Sequence, residues 1–180
     1  MKNTILKIVI RSRFAITSQA SVEKQTRKVL REYLQLAQGM DDERGSTPTR
    51  VKRMIGVDED MRGWSFFEIL RHNAIVNQSI SATVRRLALK EPAPTRKFDT
   101  KKDVMPEQDC GVEQIGLFKS SVLDHLAMVE ELGDLKGRET STHPVFGPLN
   151  AHGWNCMFPF HLRLHFKQAR SVKNAVLSGM

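Results

Sequence analysis

The sequence predicts an all-α fold, a four-helix bundle with long crossover loops. Three observations predict it. Several stretches carry apolar residues at alternating three- and four-residue steps, the spacing that lines one face of a helix. Long polar connections separate them, and no convincing pair of strands can be read between. The 180 residues, 40 % hydrophobic and 27 % charged, suit one domain spanning 1–180 with a full core.

The elements follow in order. Residues 1–17 form an N-terminal extension of ambiguous type: Leu6, Ile10 and Phe14 fit a helical stripe, while Ile8 and Ile10 also fit a strand, and helix is the preferred reading. From Ser21 to about Gln38 the pattern is firmer. Val22, Val29, Leu30, Tyr33 and Leu36 share a face, and Gly39 stands where a helix-ending glycine belongs. A polar loop over 41–48 comes next, and 49–55 is expected to make a short helical turn before Gly56.

The next helix should begin near 63–65 and run to about Lys90. Ser65 followed by Glu68 matches a capping box, and Pro92 and Pro94 forbid continuation. Its seam holds Ile69, Val76, Ile80, Thr83 and Leu87, with His72 and Asn73 among them. The connection over 91–110 is long enough to cover something or to cross over. A further helix over about 112–135 carries Ile115, Phe118, Val122, Val129 and Leu132 on its stripe, and His125 lies there too. Residues 137–148 read as a loop. Asn150 can then cap a last helix reaching about Leu177, with Pro159 inside it and a kink expected just before His161.

Composition narrows the function classes. The net charge of +8 is spread over 2–13, 85–102 and 163–173. No nucleic-acid motif and no interleaving of basic and aromatic residues accompanies it, so a solvated basic surface is preferred to a nucleic-acid partner. An anionic substrate is the next choice. The apolar run over 5–10 is short and interrupted by Lys7, which fits neither a membrane span nor a secretory leader. Two cysteines, Cys110 and Cys156, form no C-x-x-C pair and read as reduced thiols, which points to a cytoplasmic protein without a membrane partner.

Chemistry concentrates between Trp154 and Gln168. His161 and His165, four residues apart, lie on one helix face with Cβ atoms about 5–6 Å apart, close enough to share a metal ion. Leu162 stands where the glutamate of a metalloprotease H-E-x-x-H helix would be, which excludes that class. The ordinary alternative is two helix histidines, one partly buried and one at the surface. Against it, the pair continues the stripe of Trp154, Phe158, Gln168 and Val172, and His72 sits in a seam of its own. Three imidazoles aimed at one core need partners at both nitrogens, and a divalent ion would satisfy them together. His125 is either a fourth ligand, a partner to the ligands, or a satisfied core histidine, the last being preferred.

The residues Trp64-Ser-Phe-Phe-Glu-Ile-Leu-Arg-His72, His143-Pro-Val-Phe-Gly-Pro148, Trp154, His161, His165 and Gln168 resemble the DinB/YfiT-like superfamily of metal-binding four-helix bundles, in a bacterial branch of unknown function. The resemblance covers roughly 20–175. It implies that His72, His161 and His165 bind one divalent metal ion (nickel, zinc or iron) and that the chain forms a homodimer. It also implies thiol transfer with a low-molecular-weight thiol, or metal-dependent hydrolysis. Leu164, where related sequences often carry a histidine, and Pro159 depart from the pattern.

Asn73, His125 and Gln168 are the candidate polar partners around the ligands, and none is a carboxylate. The lack of an obvious inward base favours thiol transfer over hydrolysis. A non-enzymatic alternative is a bundle that the metal merely holds together and that binds a partner as a dimer.

Overall fold

The computed structural model describes residues 2–94, 99, 102–107 and 109–179. The Lys2 and Leu6 side chains lie outside the described residues, as do 95–98, 100 and 101 of the basic stretch and 108 of the long connection.

Six α-helices form among the described residues: α1 (Lys2–Ile16), α2 (Gln19–Ala37), α3 (Asp42–Ser46), α4 (Phe66–Ala88), α5 (Glu113–Leu132) and α6 (Ala151–Ser178). Helix α2 packs on α5 and α6, and α4 packs on the same two, so four helices close a ring with α2 and α4 on one diagonal. This is the four-helix bundle that the hydrophobic periodicity implied. Helix α1 lies against α6. The helical option for the N-terminal extension is the one adopted.

Local signals explain most boundaries. Ser65 accepts from the Glu68 N–H at 3.2 Å while the Glu68 carboxylate accepts from the Ser65 N–H at 2.7 Å, a complete capping box. Such a cap is worth about 1 kcal/mol. Asn150 caps α6 by accepting from the Gly153 N–H at 2.9 Å. Gly39, at φ +76°, takes the left-handed backbone that ends α2. Lys173 reaches back from α6, its ammonium donating to the Leu36 and Gln38 carbonyls at 2.7 and 2.8 Å, where α2's unsatisfied carbonyls carry negative charge.

The core runs along the seams: Val22, Val29, Leu30 and Tyr33 from α2, Ile69, Ile80 and Leu87 from α4, Phe118, Val122 and Val129 from α5, Phe158 and Val172 from α6. In α4 the buried side of the last two turns passes through Val84, with Thr83 only half-buried.

Two expectations were wrong. Residues 49–55 contain no helical turn; the helical turn is α3, within the polar loop, capped by Asp41 accepting from the Arg44 N–H at 2.9 Å. An isolated bridge pairs Met54 with Val57 instead. The segment over 137–148 is not all loop. Strands β1 (Thr140–His143) and β2 (Gly147–Asn150) pair antiparallel, with His143 opposite Gly147. Four residues per strand, mostly polar, are too few to show a two-residue alternation, and the pairing is held by contacts distant in sequence.

Candidate metal centre

Helix α4 supplies His72 and α6 supplies His161 and His165. One ring nitrogen from each lies within 4.8 Å of the other two. Ring centroids are 5.3 Å apart for His72 and His161, 4.6 Å for His72 and His165, and 4.7 Å for His161 and His165. The spacing along α6 and the neighbourhood of α4 and α6 are what bring them together.

Two of the tautomers are fixed by groups that can act in only one sense. The His72 Nδ1–H donates to the Val104 carbonyl at 2.8 Å, and a carbonyl cannot donate in return, so Nε2 keeps its lone pair. Around His165 the constraint is relayed. The Gln168 amide nitrogen donates to the Met61 carbonyl at 2.7 Å, which leaves Oε1 to accept from the His165 Nδ1–H at 2.9 Å. Its Nε2 is therefore the free acceptor as well. Metal-ligating histidines are oriented by such partners in general.

The fit to a metal ion rests on orphaned atoms. His72 Nε2 and His161 Nδ1 are buried without any hydrogen-bond partner, a costly arrangement for a polar group. Burial holds all three imidazoles neutral: His72 is pushed down to about 3, His161 well below its ordinary value, and His165 downward too. Repulsion adds to this at His72 and His161, where a proton would face a charged His165. Neutral imidazoles with free lone pairs are the form that binds a divalent cation. His72 and His165 are 2 % exposed and His161 is half-buried with its Nδ1 among the buried atoms, so the His161 side is the least covered part of the cluster.

The walls come from segments far apart in sequence. The long connection between α4 and α5 passes over the cluster at Val104, whose carbonyl positions His72. The turn before α4 packs on α6, where a Cβ at Gly56 would fall 2.8 Å from the Leu164 side chain. That turn leads to Asp58, an exposed carboxylate whose charge acts on His165 in the direction opposite to burial. Neither Asp58 nor the two backbone carbonyls was legible beforehand. A backbone carbonyl carries no residue-type signal, and Asp58 lies on no helix seam.

Of the candidate polar partners, Gln168 bonds a cluster histidine directly. Asn73 instead donates to the Tyr33 hydroxyl at 3.1 Å, and that hydroxyl donates to the Leu162 carbonyl at 3.0 Å. His125 has both nitrogens engaged elsewhere, by Ser81 at 2.9 Å and Asn155 at 3.0 Å, and it stacks on Phe158 at 3.7 Å between centroids. Those are the contacts of a satisfied core histidine.

His125 makes a pH prediction. Burial pushes it down to about 4, against about 6.5 in an unfolded chain. The neutral form is preferred in the fold, so its contribution is complete above pH 6.5 and is lost as pH falls from there toward 4. Urea melts at pH 7.5 and 4.5 should show a smaller acid destabilisation in His125→Gln than in the wild type, by about 2 kcal/mol. Equal pH dependence in both would exclude this group as a contributor.

A second histidine pairing, His152 with Cys156 at 3.6 Å, has the appearance of a nucleophile and base but not the chemistry. The His152 Nε2–H is committed to the Phe14 and Thr17 carbonyls at 3.2 and 2.9 Å, and burial pushes the Cys156 thiol up to about 12. The pair ties α1 to α6. Both cysteines are free and buried. Arg163, one of the basic residues on α6, is paired with Glu32. No helix among the described residues is long and apolar enough to cross a membrane.

No family model matches the chain, and no curated protein matches it. Among solved structures it is similar to the crystal structure of TT2238, a four-helix bundle protein. The two are 19 % identical with a TM-score of 0.56, over 86 % of this chain and 99 % of that one. At this identity the likeness bears on fold alone.

Proposed function

We propose that the chain is a divalent-metal protein of the DinB/YfiT-like kind, with His72, His161 and His165 as ligands, and that its site serves the transfer of a small thiol. The observation that carries the metal reading is the pair of buried, partnerless nitrogens, His72 Nε2 and His161 Nδ1, in a cluster whose three ligand atoms lie within 4.8 Å of one another. Zinc, nickel and ferrous iron all accept imidazole nitrogen.

Three neutral imidazoles leave the charge of a divalent ion uncompensated, which favours an anionic ligand such as a thiolate. A bound ion would supply Lewis acidity, stabilising the thiolate form of a thiol brought to it. The protein's own part is to hold the imidazoles in place through Val104, Gln168 and Met61, to keep water from the bundle side, and to admit a ligand beside His161. Hydrolysis is the second reading, and Asp58 favours it as the carboxylate that acts on His165. The single-domain organisation over 1–180, homodimer assembly and cytoplasmic location belong to the same proposal.

A screen of metal-loaded protein with several low-molecular-weight thiols, beside an ester and amide panel, tests the reaction. Thiol-dependent turnover that disappears in His161→Ala is the expected result. Hydrolysis without thiol, reduced in Asp58→Asn, would replace the first reading by the second. No turnover from fully loaded protein in any assay would favour a metal that only holds α4 to α6.

Gln168→Leu supplies a quieter test. It strands the His165 Nδ1–H and leaves the Met61 carbonyl with only the Trp64 N–H at 3.4 Å, while keeping all three histidines in place. Competition titration with a chelator should show metal affinity reduced about 10- to 100-fold. Unchanged affinity would show that the relay does not orient His165.

A further inference from the structure

We propose that His143, on the β1–β2 hairpin, is a fixed hydrogen-bond donor beside the three-histidine site, placed to bind an anion that the metal attracts. This rests on the metal reading above and assigns the site a further residue. His143 is not one of the clustered ligands, and its chemistry is the reverse of theirs.

Its tautomer is fixed by the turn it closes. The Val145 and Phe146 amides both donate to His143 Nδ1, at 3.1 and 3.3 Å. An amide N–H can only donate, so Nδ1 holds the lone pair and the proton sits on Nε2. That Nε2–H has no partner among the described residues. His72 and His165 are locked with Nδ1–H committed and Nε2 free to accept; His143 is locked with Nε2 free to donate.

Its position is fixed by α6. The His143 ring packs against Phe146 and Trp154, at 5.0 and 5.3 Å between centroids. The Trp154 indole N–H donates to the Ser141 carbonyl at 3.2 Å, which ties the hairpin to the helix. Trp154 lies seven residues before His161, about two turns, and so on the same face. Side chains on a helix lean toward its N-terminus, which brings the His161 ring toward the hairpin. Strand β1 also packs on α4, the helix that carries His72. The half-buried ring is thus held on the side of α6 that carries His161.

A purely structural turn would not need an imidazole. Asparagine presents an acceptor oxygen where His143 presents Nδ1, and it caps turns of this kind routinely. What asparagine lacks is the distal N–H, which glutamine approximates. The two substitutions therefore separate the hairpin role from the donor role.

The experiment uses the full chain loaded with cobalt(II), and azide as the anionic probe, followed by the visible cobalt spectrum. In the wild type azide should shift the spectrum saturably. His143→Asn should keep the turn and bind cobalt fully, melting slightly lower for the lost ring packing on Phe146 and Trp154, but with an azide Kd raised about tenfold, as expected for one lost hydrogen bond to a charged ligand. His143→Gln should lose the turn acceptor and melt lower, yet keep azide affinity within about threefold of the wild type. Cobalt binding with no azide response in the wild type overturns the inference, as does an equal azide Kd in wild type and His143→Asn. Weakening in His143→Gln as large as in His143→Asn also overturns it, since that pattern reports the hairpin alone. If the wild type binds no cobalt, the metal reading falls and takes this inference with it.

Discussion

His72→Ala is expected to abolish metal binding while leaving the chain folded. Protein purified without an affinity tag and analysed for metals should carry close to one divalent ion per chain in the wild type. The variant should fall below about a tenth of that, because losing an orienting partner alone already costs about 10- to 100-fold in affinity. His72 is the only one of the three clustered histidines on α4, so its loss leaves two imidazoles on one helix and no cluster imidazole across the interface. The effect on folding has two opposing parts. Truncation removes buried ring area and the bond to Val104, but it also removes the partnerless Nε2. A net cost of about 1–2 kcal/mol in metal-free protein follows, within the ordinary range for a buried substitution. His125→Gln is the matched control: it too alters a buried histidine, yet occupancy should stay near one because His125 is engaged by Ser81 and Asn155. Wild-type protein that stays metal-free after incubation with zinc, nickel and ferrous iron would refute the site.

Gly45→Ala should destabilise the fold strongly, against what helix propensity alone would say. Gly45 lies within α3, where replacing glycine by alanine ordinarily stabilises by up to about 1 kcal/mol. Here a Cβ would approach the Phe67 ring far closer than the 3.0 Å that real Cβ atoms keep. Phe67 is fully buried and packs against Phe66 at 5.9 Å, so the ring has nowhere to retreat. Overpacking of this kind costs about 1–3 kcal/mol, and the contact with an immobile ring puts it at the upper end. The melting temperature should fall on the order of 5–10 °C. Gly63→Ala, where a Cβ meets nothing within 4 Å, should change little by comparison. A melting temperature for Gly45→Ala equal to or above the wild type would mean that α3 does not pack on Phe67 as described.

Both predictions turn on contacts between segments distant in sequence, and they show where sequence reading stops. Helices α2, α4, α5 and α6 were legible because each buries one stripe, and a stripe repeats at helical spacing whether or not its partner is known. Ser65 with Glu68, Gly39 and Asn150 were legible because capping is local chemistry, complete within a few residues. The hairpin was not, because Thr140–His143 and Gly147–Asn150 are short, polar and held by the Trp154 indole and by the turn at His143. Helix α3 was hidden for a related reason: five residues are too few to show a period.

The candidate site divides along the same line. His161 and His165 on one face of α6 follow from the helical repeat, and His72 in the seam of α4 follows from the same rule. Those three residue types at those positions are the sequence's own contribution, together with the bundle that carries them. That their ligand atoms meet within 4.8 Å is decided by the packing of α4 on α6. Which nitrogen of His72 and of His165 is free is decided by two carbonyls, at Val104 and Met61, delivered by loops whose side-chain identities say nothing about it. The tertiary structure alone also packed the hairpin on α4 and α6. The physical reason is one of range. Periodicity and capping act between residues a few positions apart and leave a mark in the sequence, whereas lone-pair direction, burial and access depend on atoms that only the folded chain brings together.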